Sequence, residues 1–284
     1  MKAPSRGWRS AFNATRSTLN PQRSTPRAFR APWGWALAGG LIGLLLTLVI
    51  AAPARWLASA LAAASGGAVL LAEPQGSVWS GSARLVLTGG AGSRDSAALP
   101  GRVHWQLAPA FIGVRGTLSA DCCTRAAPLQ ARLAWHWGGA RLTLAGGQSV
   151  WPAALLTGLG TPWNTIEPQG ELTLATQGLQ TDWTNGRVGL QGRAELTASS
   201  LSSRLSTLKP LGSYRLDLQG GDAVALTLST LEGGLQLSGS GHWAGARLRF
   251  AGQASAAPGL ETQLANLLNL IGRRQGNKTV ISMG

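Results

Sequence analysis

The residue types that carry most protein chemistry are scarce in this chain of 284 residues. Its three histidines, His104, His136 and His242, each stand beside a tryptophan in a run of alternating polar and apolar residues. A zinc or copper site needs several ligands that converge on one point. No His-x-x-x-His or Cys-x-x-Cys spacing occurs. We therefore expect three solvent-exposed strand histidines and no metal site.

Catalytic patterns are also missing from the sequence. The 11 acidic residues are scattered, and no Gly-x-Ser-x-Gly nucleophile elbow occurs. The run Gly239-Ser240-Gly241-His242-Trp243-Ala244 superficially matches a dinucleotide fingerprint, but it precedes a further strand-like run and no helix. We predict a protein that is not an enzyme, with no catalytic, cofactor-binding or metal-binding residues.

Two adjacent cysteines, Cys122 and Cys123, are the only ones in the chain. Neighbouring cysteines cannot link distant parts of a fold to each other. Three states stay open: a vicinal disulfide, a bond to another chain, or free thiols in a loop.

The positive charge is concentrated at the amino terminus. The formal net charge is +14, and residues 1–30 contribute seven basic side chains and no acidic one. The remaining excess is spread thinly over the rest of the chain, without a basic cluster interleaved with aromatic residues. This distribution is typical of a solvated surface, so we expect no nucleic-acid partner.

An uncharged run follows the basic tail. Trp33 to Ala54 comprises 22 residues, about 33 Å as a helix, which exceeds a hydrocarbon core of about 30 Å. We predict a transmembrane signal-anchor helix at 33–56. The positive-inside rule then makes residues 1–32 a cytoplasmic tail at the inner membrane and residues 57–284 a periplasmic domain.

Two further features of the apolar run bear on its role. Ala52-Pro53-Ala54 and Ala58-Ser59-Ala60 resemble signal-peptide cleavage sites. The apolar run is longer than the usual signal-peptide core, which favours an uncleaved anchor. Gly39 and Gly43 form a small-xxx-small pair, which predicts a homodimer through closely packed helices.

Residues after the anchor predict antiparallel β-structure. Polar and apolar residues alternate strictly around Leu133, Trp105, Leu226 and Leu216, the period of half-buried strands. Pro152 predicts a short helix, and a leucine-rich helical face closed by Gly272 predicts another at residues 260–271. The fold class is therefore predominantly all-β, a curled antiparallel sheet with a few short helices.

Internal repeats indicate duplicated hairpins. Residues 136–146 match residues 242–252, and residues 79–89 form a looser copy. Each copy predicts a strand, a glycine-containing turn and a returning Arg-Leu strand. We assign the tryptophans of these copies, Trp79, Trp137 and Trp243, to the core. A Glu-Pro-Gln-Gly run also occurs twice, at residues 73–76 and 167–170.

The order of several short motifs resembles the type II secretion system protein N family, also called general secretion pathway protein N. These motifs follow the membrane helix as Gly76-Ser77-Val78-Trp79-Ser80-Gly81, Gly158-Leu159-Gly160-Thr161-Pro162-Trp163, Gly233-Gly234-Leu235-Gln236-Leu237-Ser238-Gly239, Gly252-Gln253-Ala254 and the leucine-rich helix. The resemblance covers roughly residues 35–284. The basic tail and the cysteine pair are not features of that family, which leaves the role of the tail open.

The resemblance implies an accessory inner-membrane protein of the machinery that moves folded proteins across the outer membrane. Its partners would be other secretion-system proteins of the inner membrane and periplasm, docked at sheet edges or hairpins, for instance by strand addition. The alternative is an envelope lipid-handling protein with an apolar β-groove. A filled core would favour docking, and an open apolar groove would favour lipid.

Overall fold

The computed structural model describes residues 33–124, 128–184, 187–221, 223–244, 247–276 and 278–283. The predicted cytoplasmic tail at 1–32 lies outside the described residues. The chain divides into two units, residues 1–45 and 46–284.

The apolar run forms helix α1, Trp33–Ile50, with no buried residue. Among the described residues it is the one helix that is long and apolar enough to cross a membrane, and its 18 residues extend about 27 Å. It ends at Ile50 and does not continue to residue 56. Pro53, which has no backbone N–H to donate, caps a second helix, α2, Ala54–Ala64. Trp56 therefore belongs to α2.

Among the described residues, sixteen strands follow in one antiparallel sheet. Their bounds are β1 Val69–Gly76, β2 Ser80–Thr88, β3 Ser96–Ala98, β4 Val103–Ala110, β5 Gly113–Ala120, β6 Leu129–His136, β7 Gly139–Leu144, β8 Gly147–Pro152, β9 Gln169–Thr184, β10 Arg187–Ser202, β11 Gly212–Gln219, β12 Ala225–Gly233, β13 Leu235–Ala244, β14 Arg247–Ala256, β15 Arg273–Gln275 and β16 Lys278–Met283.

The strand order is β1-β2-β4-β5-β6-β7-β9-β10-β11-β12-β13-β14-β16-β15, while β3 pairs with β2 and β8 with β9 outside this path. Over the described residues the sheet does not close, and the predicted fold class is confirmed. Short helical segments lie between strands: a 3-10 helix at Ala153–Leu159, α3 at Trp163–Ile166, and α4 at Glu261–Ile271. The 3-10 helix begins directly after Pro152, and α4 matches the predicted leucine-rich helix.

Strict alternation gives the sheet one apolar and one polar face. At one end of the strands the apolar face is covered by α4, whose Leu264, Leu267 and Leu268 are buried against Leu235 and Ala254. A second cluster forms around Leu99, Val103, Ala120 and Cys123. A third joins Ala54 of α2 to Ala83 and Trp105. Helices thus cover the first strands of the sheet and one end of the later strands.

The repeats differ in outcome. Residues 136–146 form the β6–β7 hairpin, with His136 paired to Gly139. In the second copy, residues 242–244 of β13 pair with residues 247–249 of β14, so the predicted strand pairing is confirmed in both copies. Residues 245–246, where the second turn is predicted, lie outside the described residues. The third hairpin prediction was wrong, because residues 80–88 form one continuous strand and the turn precedes it. The Ser77 N–H donates to the carbonyl of Ser80 in that turn, and Gly81 lies inside the strand opposite Trp105.

Both Glu-Pro-Gln-Gly runs have the same backbone form. Glu73 and Glu167 have φ values of 50° and 45°, and Gly76 and Gly170 have φ values of 86° and 134°. Each run lies where the strand register shifts. A non-glycine residue at positive φ is uncommon, so the repeated sequence encodes a repeated irregularity at two strand ends.

Candidate functional site

Part of the apolar face lies beyond the covering helices. Leu133 on β6 lies opposite Val114 of β5 and Leu142 of β7, and Leu218 lies opposite Leu226. Within the described part of the chain, these side chains do not pack against the three buried clusters. We call the set the open apolar face; its members are Val114, Leu118, Leu133, Leu142, Leu144, Leu179, Leu190, Leu218, Leu226, Leu248 and Phe250.

The open apolar face leads to three neighbouring hairpins whose tips carry exposed hydrophobic side chains. Trp135 lies opposite Ala140, which lies opposite Trp183, and Trp183 lies opposite Val188. The main-chain N–H of Trp135 donates to the carbonyl of Ile112 over 3.2 Å. This hydrogen bond joins the β4–β5 hairpin to the β6–β7 hairpin. We call this set the tip patch; its members are Phe111, Ile112, Trp135, Trp137, Trp183 and Val188.

The tip patch corrects the assignment of the repeat tryptophans to the core. Trp137 is 102% exposed and Trp243 is 37% exposed, while Trp79 is half-buried. Alternation places a side chain on one face of a strand, but a hairpin tip projects beyond the neighbouring strands that would bury it. Trp105, in the middle of β4, is buried instead, with its indole N–H donating to the carbonyls of Ser77 and Val78.

The polar face carries a pair of facing cations two residues along the strands from the Gly113–Ala134 pair, which adjoins the tip patch. Arg115 on β5 lies directly opposite Arg132 on β6, and both are exposed. Among the described residues neither forms an ion pair with a carboxylate. They lie in an open groove of about 680 Å³ whose lining also includes Trp79, Ser80, Gln106, Thr117, Gln130 and Thr143.

The next strand shows the more usual arrangement of an arginine. The Arg141 Nε donates to Asp182 Oδ1 over 2.6 Å across β7 and β9. Hydrogen bonds from Arg141 and Gln180 hold the pKa of the Asp182 carboxyl below its ordinary value. Arg115 and Arg132 lack such a carboxylate and face each other instead.

The first hairpin turn is connected to the end of the apolar helix. The Trp79 indole N–H donates to the Val49 carbonyl over 2.8 Å, and the Val78 N–H donates to the Ala52 carbonyl over 2.8 Å. The Leu107 N–H of β4 donates to the Trp79 carbonyl over 2.6 Å. Phe111 of the tip patch lies four residues after Leu107, a distance of about 13 Å along an extended chain.

The histidines lie where the sequence predicted. All three are exposed on strands, so the predicted exposure of these side chains is confirmed. His104 Nε2 lies 3.1 Å from Asp121 Oδ1. The pKa of Asp121 is lowered, first because its carboxylate accepts the Arg102 backbone N–H. In the described ranges no three His, Cys, Asp or Glu side chains come together as metal ligands.

The two cysteines form a vicinal disulfide, one of the three states left open. Cys123 is 2% exposed and packs with Leu99, Val103 and Ala120. The bond therefore lies in a local turn beside a small buried cluster and links no separate elements.

One sheet edge is partly unpaired. β15 pairs only with residues 278–280 of β16, whereas β14 pairs with β16 as far as Met283. Among the described residues, the outer edge of residues 281–283 has no strand partner. An adjoining groove of about 630 Å³ is lined by the end of α4 and by β15 and β16, including Leu270, Ile271, Arg273, Gln275, Val280 and Ile281.

No binding residue is nominated by the sequence reasoning above, and the tip patch is what that reasoning missed. Its signal was present as a tryptophan shortly before each glycine-containing turn, at Trp137, Trp183 and Trp243. Residues 182–184 of β9 pair with residues 187–189 of β10 in the same way.

Comparison with known proteins identifies one family. The family described as type II secretion system (T2SS), protein N, matches residues 67–281, which include strands β1 to β15 and the first four residues of β16. No curated protein and no solved structure matches the chain.

Proposed function

The chain belongs to the type II secretion system protein N family, and from that premise we propose that it is a non-enzymatic docking and assembly subunit of this system. Membership makes it an accessory component that interacts with other type II secretion components. The finer proposal is that its sheet binds secretion proteins of the inner membrane and periplasm.

The unpaired edge at residues 281–283 carries the docking proposal. An exposed strand edge offers backbone N–H and C=O groups that a partner strand can pair with. Here the edge adjoins a groove that includes Leu270 and Ile281, which could accept alternate side chains of an added strand. The opposite edge suits strand addition less well, because Pro74 interrupts β1 and α2 packs beside it.

The location is part of the same proposal. Helix α1 anchors the chain once in the inner membrane, residues 1–32 lie in the cytoplasm, and the β-rich domain after the anchor lies in the periplasm. The apolar composition of α1 and the basic residues before it support this orientation. The homodimer through Gly39 and Gly43 stays a prediction.

The secretion role is tested by the split of exoproteins between medium and periplasm in a deletion strain and its complemented control. We expect exoproteins to accumulate in the periplasm and complementation to reverse this. An unchanged split would exclude a role that secretion requires.

The docking edge is tested by photo-crosslinking in intact cells. A photoreactive residue at Ser282, on the unpaired edge, should capture a secretion component. The matched control is Ser238, an exposed serine of β13 that is paired on both sides. Capture at both positions, or at neither, would contradict docking by strand addition.

A second candidate function is the handling of envelope lipid, and the open apolar face favours it. These side chains are half-buried without a covering helix, so an acyl chain could occupy the face and remove it from water. Photoreactive residues at the adjacent positions Leu226 and Thr227, which point to opposite faces of the sheet, show whether lipid occupies the open apolar face. Hydrocarbon adducts at Leu226 alone would support lipid handling, and their absence would count against it.

A further inference from the structure

We propose that the tip patch, together with Arg115 and Arg132, is a membrane-binding surface for anionic phospholipid. The tip patch enters the interfacial layer of the bilayer, and the two arginines bind headgroup phosphates. This inference rests on the proposed anchoring by α1.

The exposed side chains of the tip patch are those that favour a bilayer interface. Phe111 and Trp137 are 103% and 102% exposed, Val188 is 65% exposed and Ile112 is 60% exposed. Contiguous exposed apolar residues on a protein surface mark a binding site. Indole rings prefer the headgroup layer, where the ring is buried and the N–H stays hydrated. Trp135, Trp137 and Trp183 therefore match this layer.

The arginine pair adds charge complementarity. Like charges directly opposite each other on neighbouring strands are destabilising, and Arg115 and Arg132 face each other without a carboxylate among the described residues. A phosphate between them would relieve the repulsion, because guanidinium groups bind phosphate through charge-assisted hydrogen bonds. Gln106, Thr117 and Gln130 in the same groove offer further donors.

The position relative to the anchor selects a bilayer as the occupant. Trp79, which lines the arginine groove, is hydrogen-bonded to Val49 in the last turn of α1. Leu107 of β4 is hydrogen-bonded to Trp79, and Phe111 lies four residues, or about 13 Å, further along the chain. The tip patch is also a projecting set of hairpin tips, whereas a docked strand or helix would require an edge or a groove.

The test uses the full chain reconstituted in vesicles of phosphatidylethanolamine with phosphatidylglycerol, and in vesicles of phosphatidylcholine alone. A photoreactive residue replaces Trp137, and a matched probe replaces Gln253, an exposed residue of the polar face on β14. Mass spectrometry then counts phospholipid adducts. We expect adducts at position 137 and none at position 253. Equal yields at both positions, or none at 137, would overturn the proposal.

The arginine contribution is measured with Arg115→Gln and Arg132→Gln in the chain that carries the probe at 137. Each substitution should lower the ratio of phosphatidylglycerol to phosphatidylcholine adducts about fivefold, as expected for a basic residue at an anionic surface. Arg249→Gln, an exposed arginine of β14, should leave the ratio unchanged. An unchanged ratio in the two groove variants would overturn the headgroup assignment.

Two further outcomes identify other occupants. If inorganic phosphate abolishes the preference for phosphatidylglycerol at constant ionic strength, the arginines bind free phosphate and the lipid assignment is wrong. If the probe at 137 captures a protein in intact cells and no lipid in vesicles, the tip patch is a protein-binding surface and the proposal is overturned.

Failure of this inference is distinguishable from failure of the proposed function. If alkaline carbonate extracts the chain from membranes, the anchoring proposal fails. If the chain resists extraction and Ser282 still captures a secretion component, but position 137 captures no lipid, only the membrane-binding surface is excluded.

Discussion

The indole N–H of Trp79 donates a hydrogen bond to the main-chain carbonyl of Val49 over 2.8 Å. The last four carbonyls of an α-helix have no intrahelical partner, and Val49 is the penultimate residue of α1. A side chain of the first β-turn thus completes the end of the apolar helix. The two segments are 30 residues apart in sequence.

Replacing Trp79 by phenylalanine should lower the free energy of unfolding by about 1 kcal/mol. The Val49 carbonyl loses its 2.8 Å hydrogen bond from the indole and keeps only the 3.4 Å hydrogen bond from the Ala52 N–H. Urea unfolding of the full chain in detergent micelles measures the change. Trp137→Phe is the matched control, since Trp137 is fully exposed, and it should have no effect. Equal changes in both variants would show that the hydrogen bond contributes nothing.

Gly81→Ala should destabilise the β2–β4 pair by about 1–3 kcal/mol. A Cβ at position 81 would lie 2.5 Å from Cζ2 of Trp105 and 2.5 Å from the Gln75 carbonyl oxygen, and neither can move freely. Gly189→Ala is the control, because a Cβ there meets nothing within 4 Å. Near-UV circular dichroism, followed during urea unfolding, measures the stability of both variants. A neutral Gly81→Ala variant would contradict the close packing described here.

Shortening a buried side chain of α4 should lower the free energy of unfolding more than shortening an exposed one. Leu267→Ala should lower the free energy of unfolding by about 2–5 kcal/mol, because it leaves a cavity in the largest cluster. Leu267 is 2% exposed and Leu270 is 46% exposed, so Leu270→Ala should change little. A similar loss in both variants would mean that α4 does not pack through Leu267.

The Arg141–Asp182 ion pair should make the stability of the folded protein depend on pH in the acidic range. The pKa of Asp182 is lowered in the folded state by hydrogen bonds from Arg141 and Gln180. Its contribution is therefore present above the ordinary pKa of an aspartate and is lost as pH falls through the lowered value. Carboxyl-carbon NMR titration should find Asp182 below its ordinary value. Arg141→Gln should move the pKa upward, and an unmoved pKa would exclude the ion pair.

Much of the fold could be predicted because its signals are local. Alternation around Leu133 identified β6, and the glycine after Trp137 identified the β6–β7 turn. The helical spacing of Leu264, Leu267 and Leu268 identified α4. Each signal depends on a period of two or 3.6 residues within a single segment, so no knowledge of neighbouring segments was needed.

The errors have non-local causes. Residues 79–89 resemble a hairpin, but Gly81 lies inside a strand, where the missing Cβ leaves room for the ring of Trp105. Helix α1 ends at Ile50, before Pro53, and so does not reach residue 56. The residues after Pro53 form α2, whose Ala54 packs against Ala83. Trp137 is exposed because it lies in the turn between the paired residues His136 and Gly139, beyond the ends of the strands, where local alternation does not apply.

The amino-acid sequence by itself determined the all-β class, the apolar helix, the polar and apolar faces of the strands, and the position of the β6–β7 turn. Only the tertiary structure decided which strands are neighbours, and therefore that Arg115 faces Arg132 and that Trp135 and Trp183 share one end of the sheet. Strand order and register depend on pairing between residues far apart in the chain. The surface proposed to bind the membrane therefore arises from pairing between hairpins and has no single sequence motif.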